Sequence, residues 1–240
     1  MILPNWPAPK NIKAFASTRE GGFSYAPYAS LNLGAHVGDG LHLVRENRLW
    51  LSQKAQMPSA PVWLNQTHST RVAEVSTPTD QVLDADGLFT QTVGVVCSAM
   101  TADCLPLLIT NAQGTQVAAV HAGWRGLSAG IVENALDKFC GEVMVWLGPA
   151  IGPLAFEVGD DVRQAFTDFD PQAAKAFVAQ EKSGKWLADI FLLATQRLNR
   201  AGVRQVFSSQ MCTYRNSDQF FSYRRDGVTG RQASFIWMEE

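Results

Sequence analysis

Leu105-Pro106-Leu107-Leu108-Ile109-Thr110 runs through Asn111-Ala112-Gln113-Gly114 into Thr115-Gln116-Val117-Ala118-Ala119-Val120. Two apolar runs flank a short polar stretch that ends in glycine, the pattern of a β-hairpin. The runs are continuous rather than alternating, so the paired strands are expected to be covered on both faces. The same holds for residues 93–100, another unbroken and mostly apolar run.

Outward from the hairpin, helix-like and strand-like segments are mixed in order. Residues 127–139 read as a helix ending near Gly141, and residues 142–147 as a strand closed by Gly148-Pro149. Residues 160–169 and 186–201 read as helices, the second stopped by Gly202. Residues 44–55 place Val44, Arg48, Leu51 and Ala55 on one helical face. Residues 12–18, 61–64, 71–75, 203–207 and 234–238 read as strands, and an edge strand that only completes the sheet is the plain alternative for the tail motif at 220–225. A single α/β domain of the α+β type over residues 1–240 is expected, a three-layer sandwich with helices on both faces of a mixed sheet.

The 240 residues are enough to bury roughly 70% of the unfolded surface. Disulfide or metal staples are therefore not needed for folding. Lys plus Arg is 20 against 22 for Asp plus Glu, which argues against general nucleic-acid or anionic-membrane binding. No apolar run reaches the roughly 20 residues of a membrane span. Four cysteines without a CxxC pair, and no signal-peptide core at the start, fit reduced thiols and a cytoplasmic location. No obligate protein partner is evident.

The chain has four histidines. His68, in Asn65-Gln66-Thr67-His68, and His121, in Val120-His121-Ala122-Gly123-Trp124-Arg125-Gly126, stand where strands give way to loops. Cys104, in Thr101-Ala102-Asp103-Cys104-Leu105-Pro106, stands in a third such place. Strand ends are where sites gather in α/β sheets. Two imidazoles and a thiolate suit zinc and leave a fourth position open. The spacing matches no short-range metal motif, so from these residues alone a buried thiol with two hydrogen-bonded histidines is the leading reading.

Longer stretches carry a resemblance. They include Ser17-Thr18-Arg19-Glu20-Gly21-Gly22-Phe23-Ser24, Ser30-Leu31-Asn32-Leu33, His36-Val37-Gly38-Asp39, Asp84-Ala85-Asp86-Gly87-Leu88 and the three ligand motifs. Others are Gly148-Pro149-Ala150-Ile151-Gly152-Pro153, Phe156-Glu157-Val158-Gly159, Phe220-Phe221-Ser222-Tyr223-Arg224-Arg225-Asp226 and Thr229-Gly230-Arg231. Nearly the whole chain thus resembles the YfiH-like family, also called the laccase-domain or multicopper polyphenol oxidoreductase family. Leu154-Ala155-Phe156 departs from the pattern, since many members carry cysteine just before the aromatic residue.

The resemblance implies that His68, Cys104 and His121 bind zinc. It further implies phosphorolysis of adenosine, inosine, guanosine or methylthioadenosine, and deamination of adenosine. Zinc lowers the pKa of a bound water toward about 7, which suits deamination. Asp103 and Asp86 are candidate proton carriers, with Asp103, Cys104, His121 and Arg19 expected in catalysis. Arg19, Asp86, Arg125 and His36 are expected to bind the nucleoside and phosphate, with the Gly148–Gly152 backbone a further candidate for the anion. The known zinc deaminase signature is absent. Four histidines cannot build a blue-copper site plus a trinuclear cluster, so oxidase chemistry is restricted to copper in the same three-ligand site. Two further readings stay open: an amidase editing UDP-muramoyl amino acids, and a metal-free cysteine hydrolase with Cys104 as nucleophile and His121 as base. A non-enzymatic metabolite-binding protein is opposed by the ligand-like triad alone.

Overall fold

The hairpin lies at the centre of the molecule. A computed structural model describes residues 1–240. In chain order the elements are β1 (Ile12–Ala16), α1 (Leu41–Lys54), β2 (Leu64–Asn65), β3 (Val72–Glu74), β4 (Leu83–Asp84), β5 (Gly87–Thr90), β6 (Cys97–Thr101), β7 (Leu105–Asn111) and β8 (Val117–Ala122). Then follow α2 (Trp124–Ala129), α3 (Ile131–Leu136), β9 (Val143–Leu147), β10 (Glu157–Gly159), α4 (Asp160–Thr167), β11 (Phe177–Ala179), β12 (Lys185–Ala188), α5 (Ile190–Arg200), β13 (Gln205–Ser208), α6 (Tyr223–Asp226) and β14 (Gln232–Met238).

Strands β7 and β8 pair antiparallel, with Leu107 opposite Val120 and Pro106 opposite His121. They centre a six-stranded sheet of order β13-β9-β7-β8-β5-β3, parallel in its two outermost pairs and antiparallel between them. Every residue of both hairpin strands is buried, because each face meets a different layer. Leu107, Ile109 and Val120 face Leu127, Ile131, Leu193 and Leu198 of the helices. Leu108 and Ala119, with Trp146 of β9, face Cys97, Ala99 and Ile236 of a second sheet, β1-β14-β6. That sheet turns Phe15, Phe235 and Trp237 outward against Leu51 of α1. Burying each such leucine or isoleucine contributes about 1.5–3 kcal/mol, so the hairpin is the main apolar investment of the fold.

Helices cover both outer faces of a mixed α/β domain, as expected, and the sheet layer between them is double. The predicted helix at 127–139 starts earlier, at Trp124, and breaks at Gly130, whose φ of 106° is open to glycine. The predicted helix at 186–201 begins at Ile190, because the Asp189 carboxylate accepts from Leu192 N and caps it there. Trp186 belongs to β12, paired with β10 and β11. The tail motif is not an edge strand. Ser222 Oγ accepts from Arg225 N and starts the single turn of α6.

Candidate metal centre

Between β6 and β7 the chain crosses from the small sheet to the large one over residues 102–104. At that end the two sheets part and leave a cavity of about 590 Å³. Cys104 sits in the crossing, and His68 follows β2 in the loop to β3. His121 is the next-to-last residue of β8, beside Pro106. All three line the cavity, and their ligand atoms lie within 4.8 Å of one another. Cys104 Sγ is 3.8 Å from His68 Nε2, and the two imidazole rings meet edge to face at 4.8 Å. A tetrahedral zinc ion holds nitrogen and sulfur ligands about 3.3–3.8 Å apart, so a small contraction closes the site.

Asp86 organises this arrangement. It is completely buried, in the turn before β5. Its carboxylate accepts from the backbone N–H groups of Thr67 (3.2 Å), His68 (3.0 Å) and Ser69 (2.6 Å), and from Ser69 Oγ (2.7 Å). These bonds hold His68 at a φ of 62°, a conformation uncommon for a residue with a side chain. Asp86 Oδ1 also takes His121 Nδ1 at 2.8 Å. An ionised carboxylate only accepts, so Nδ1 carries the proton and Nε2 is left for a metal.

Without a metal, the Cys104–His121 pair keeps a second proton on the imidazole, which a metal would displace. Burial pushes the Asp86 carboxyl up, but the bonds from His121 and Ser69 outweigh it and hold it well below the usual carboxylate range. Burial also pushes the Cys104 thiol up. The neighbouring His121 charge and hydrogen bonds from both histidines bring it down to about 6. Burial disfavours a charged His121, yet the Cys104 thiolate and Asp86 raise it to about 9. Gly123 completes the cradle: a Cβ there would stand 2.8 Å from His68 Cδ2 and 3.1 Å from Cys104 Sγ. The donor set, the fixed tautomer and this clearance fit zinc or copper.

The other candidates divide. Arg125 and His36 line the cavity, both exposed, with Arg125 stacked over Trp124 at 4.3 Å. Burial, with the charges of Arg231 and Arg48, lowers the His36 pKa. Of the Gly148–Gly152 stretch, Ile151 reaches the cavity wall. Two expectations are corrected, and the geometry of a third is defined. Asp86 is sealed behind the ligands and cannot touch substrate. Arg19 is outside the cavity: its Nε donates to Ala29 O at 3.0 Å and its Nη1 to Ser217 O at 3.1 Å, with the guanidinium over Phe221. Asp103 lines the cavity, and both its oxygens accept hydrogen bonds, Oδ1 from Thr213 Oγ1 (2.6 Å) and Oδ2 from Arg224 N (2.7 Å). Each carboxylate oxygen has a second lone pair, so these bonds position Asp103 and leave it able to accept a further donor. Tyr223, Arg224, Arg231 and Phe156 also line the cavity. All four lie in stretches that carry the family resemblance, and only the folding of the tail shows that they face the ligands.

A family model described as multi-copper polyphenol oxidoreductase laccase matches residues 13–239. The chain belongs to that family. It is 51% identical over 241 residues to the Escherichia coli protein named purine nucleoside phosphorylase YfiH, covering 99% of this chain and 98% of that one. It is 49% identical to a Haemophilus influenzae purine nucleoside phosphorylase, covering 99% of each. The crystal structure of a Neisseria meningitidis protein matches it with a TM-score of 0.95 at 47% identity, covering 100% and 99% of the two chains.

Proposed function

We propose that this chain is a zinc-dependent purine nucleoside enzyme, cleaving nucleosides by phosphorolysis and deaminating adenosine. The observation that carries this reading is the convergence of His68, Cys104 and His121, with Gly123 kept bare beside them, on a cavity large enough for a nucleoside. The name purine nucleoside phosphorylase, carried by relatives about half identical to it, supports the substrate class.

His68, Cys104 and His121 would hold the ion, and Asp86 fixes the tautomer of His121 and the loop that carries His68. Zinc bound there supplies a Lewis acid and a water of lowered pKa. Trp124 and Phe156 offer apolar walls to a purine. Arg125, in no ion pair, offers an anion contact. Asp103, His36 and Tyr223 line the cavity as candidates for proton exchange with the substrate.

A second reading has its own observation. Without metal, Cys104, His121 and Asp86 form a thiolate–imidazole–carboxylate line, the arrangement of a cysteine hydrolase. Chelation separates the two: the zinc enzyme is silenced, whereas the hydrolase stays active and yields a covalent adduct on Cys104.

Product analysis with inosine and adenosine, with and without phosphate, tests the proposal. Hypoxanthine and ribose 1-phosphate should rise with phosphate, while inosine formation from adenosine should ignore it. A chain that turns over no nucleoside but cleaves a UDP-muramoyl amino acid is an amidase, and the proposal fails.

A further inference from the structure

Two arginines that the tail brings to the cavity make no ion pair with a carboxylate. Arg224 is in α6, Arg231 directly precedes β14, and both line the cavity with Cys104. Each is tethered through one nitrogen. Arg224 Nη1 donates to Glu157 O at 2.9 Å and Ala155 O at 3.4 Å. Arg231 Nη1 donates to Gly230 O at 2.9 Å and Thr229 O at 3.1 Å. Nε and Nη2 of both are left to a ligand.

Arg231 is held in place. Its stem packs on Gly34, where a Cβ would stand 2.8 Å from its Cγ, and its backbone N–H donates to Asn32 Oδ1 at 2.9 Å. The arginine ion pairs of this chain lie elsewhere: Arg197–Glu133, Arg200–Asp170 and Arg225–Asp226. The one carboxylate lining the cavity, Asp103, is bonded to Thr213 Oγ1 and Arg224 N and to neither guanidinium. Burial lowers the Arg231 pKa, and the negative charges of Cys104 and Asp103 act against that. A half-buried guanidinium with free donors is costly until an anion completes it. Its planar fork matches a tetrahedral oxyanion better than an ammonium does.

We infer that Arg231 forms an oxyanion seat beside Cys104 for a phosphate-class group, either inorganic phosphate or the phosphoryl group of a nucleotide, with Arg224 a further cation lining the same cavity. The inference rests on the nucleoside-enzyme reading in naming phosphate as the group; the seat itself stands on the arginines. Asp103 couples the two halves of the cavity, since its carboxylate fixes the Arg224 backbone and its chain neighbour is Cys104.

The zinc-loaded full chain is titrated calorimetrically with inorganic phosphate and, separately, with adenosine 5′-monophosphate. Arg231→Gln should weaken at least one titrant about ten-fold to a hundred-fold, the loss of one charge-assisted contact, with zinc content unchanged. Arg231→Lys should recover part of it. Arg224→Gln, at an exposed side chain, should act in the same direction and serves if Arg231→Gln does not fold. Weakening of phosphate alone identifies a co-reactant, and of the nucleotide alone a substrate phosphoryl group. The seat is overturned if neither titrant binds the wild type, if the Gln variants bind both as tightly as the wild type, or if weakening follows loss of zinc. Binding is read here without turnover. Absence of nucleoside cleavage therefore overturns the proposed function and leaves the seat standing. Cleavage with an unchanged half-saturation for phosphate in both Gln variants overturns the seat and leaves the function standing.

Discussion

Asp86 Oδ1 lies 2.8 Å from His121 Nδ1, and the same carboxylate gathers three successive backbone N–H groups around His68. One buried side chain therefore sets the orientation of two ligands that are far apart in sequence. Asp86→Asn puts an amide N–H₂ against donors it cannot accept from. Zinc affinity should fall about ten-fold to a hundred-fold, as for other partners of ligating histidines. Stability should fall by about 1–3 kcal/mol. Competition with a chromophoric chelator and thermal denaturation measure the two losses. Unchanged zinc affinity would remove Asp86 from the site.

Metal uptake should release protons in a pattern set by the Cys104–His121 pair. A metal needs a thiolate and a neutral imidazole. Cys104 is already a thiolate above about 6, and His121 keeps its extra proton up to about 9. Between those values the pair gives up about one proton per metal bound; below about 6 it gives up about two, and above about 9 close to none. Apparent affinity should thus fall as pH falls, about ten-fold per pH unit in the middle window from this pair. Calorimetry in buffers of different ionisation enthalpy counts the protons. A release independent of pH would contradict the pairing.

Gly123→Ala tests the clearance around the ligands. The added methyl would press on His68 Cδ2 and Cys104 Sγ. Overpacking of this kind costs about 1–3 kcal/mol, here expected as roughly ten-fold to a hundred-fold weaker zinc binding in a folded protein. Circular dichroism and zinc titration check both halves. Zinc affinity equal to that of the wild type would show that the cradle is looser than its geometry.

Arg19→Ala and Arg125→Ala should fail in different ways. Arg19 ties Ala29 to Ser217 and covers Phe221, so its loss should cost about 1–2 kcal/mol of stability and leave phosphate half-saturation unchanged. Arg125 makes no hydrogen bond or ion pair that the fold needs. Its loss should spare the melting temperature and weaken ligand binding several-fold. Melting curves beside steady-state kinetics decide, and the reverse pattern would restore Arg19 to the site.

The ligand triad was legible because each member stands in its own strand-end motif. The hairpin was legible because its two apolar runs bracket one polar turn. The doubling of the sheet was not, since a fully apolar strand does not show whether helix or sheet lies against a given face. Asp86 read as a substrate contact because it lies in a stretch that carries the family resemblance, and its reach back to residues 67–69 is visible only in three dimensions. Arg19 and Arg231 look alike in sequence. Packing of the tail decides between them, sending one to Phe221 and the other to the cavity. Asp189 is a cap residue that does mark the start of α5, and the apolar run at 186–188 masked it.

Metal analysis of freshly purified wild type and Cys104→Ser, with inosine phosphorolysis measured on the same samples, tests the central claim most directly. The account predicts one zinc per chain in the wild type, little in Cys104→Ser, and activity that follows the zinc and disappears with chelator. A wild type that carries no metal and remains active in chelator, or a Cys104→Ser protein that keeps its zinc, would contradict it.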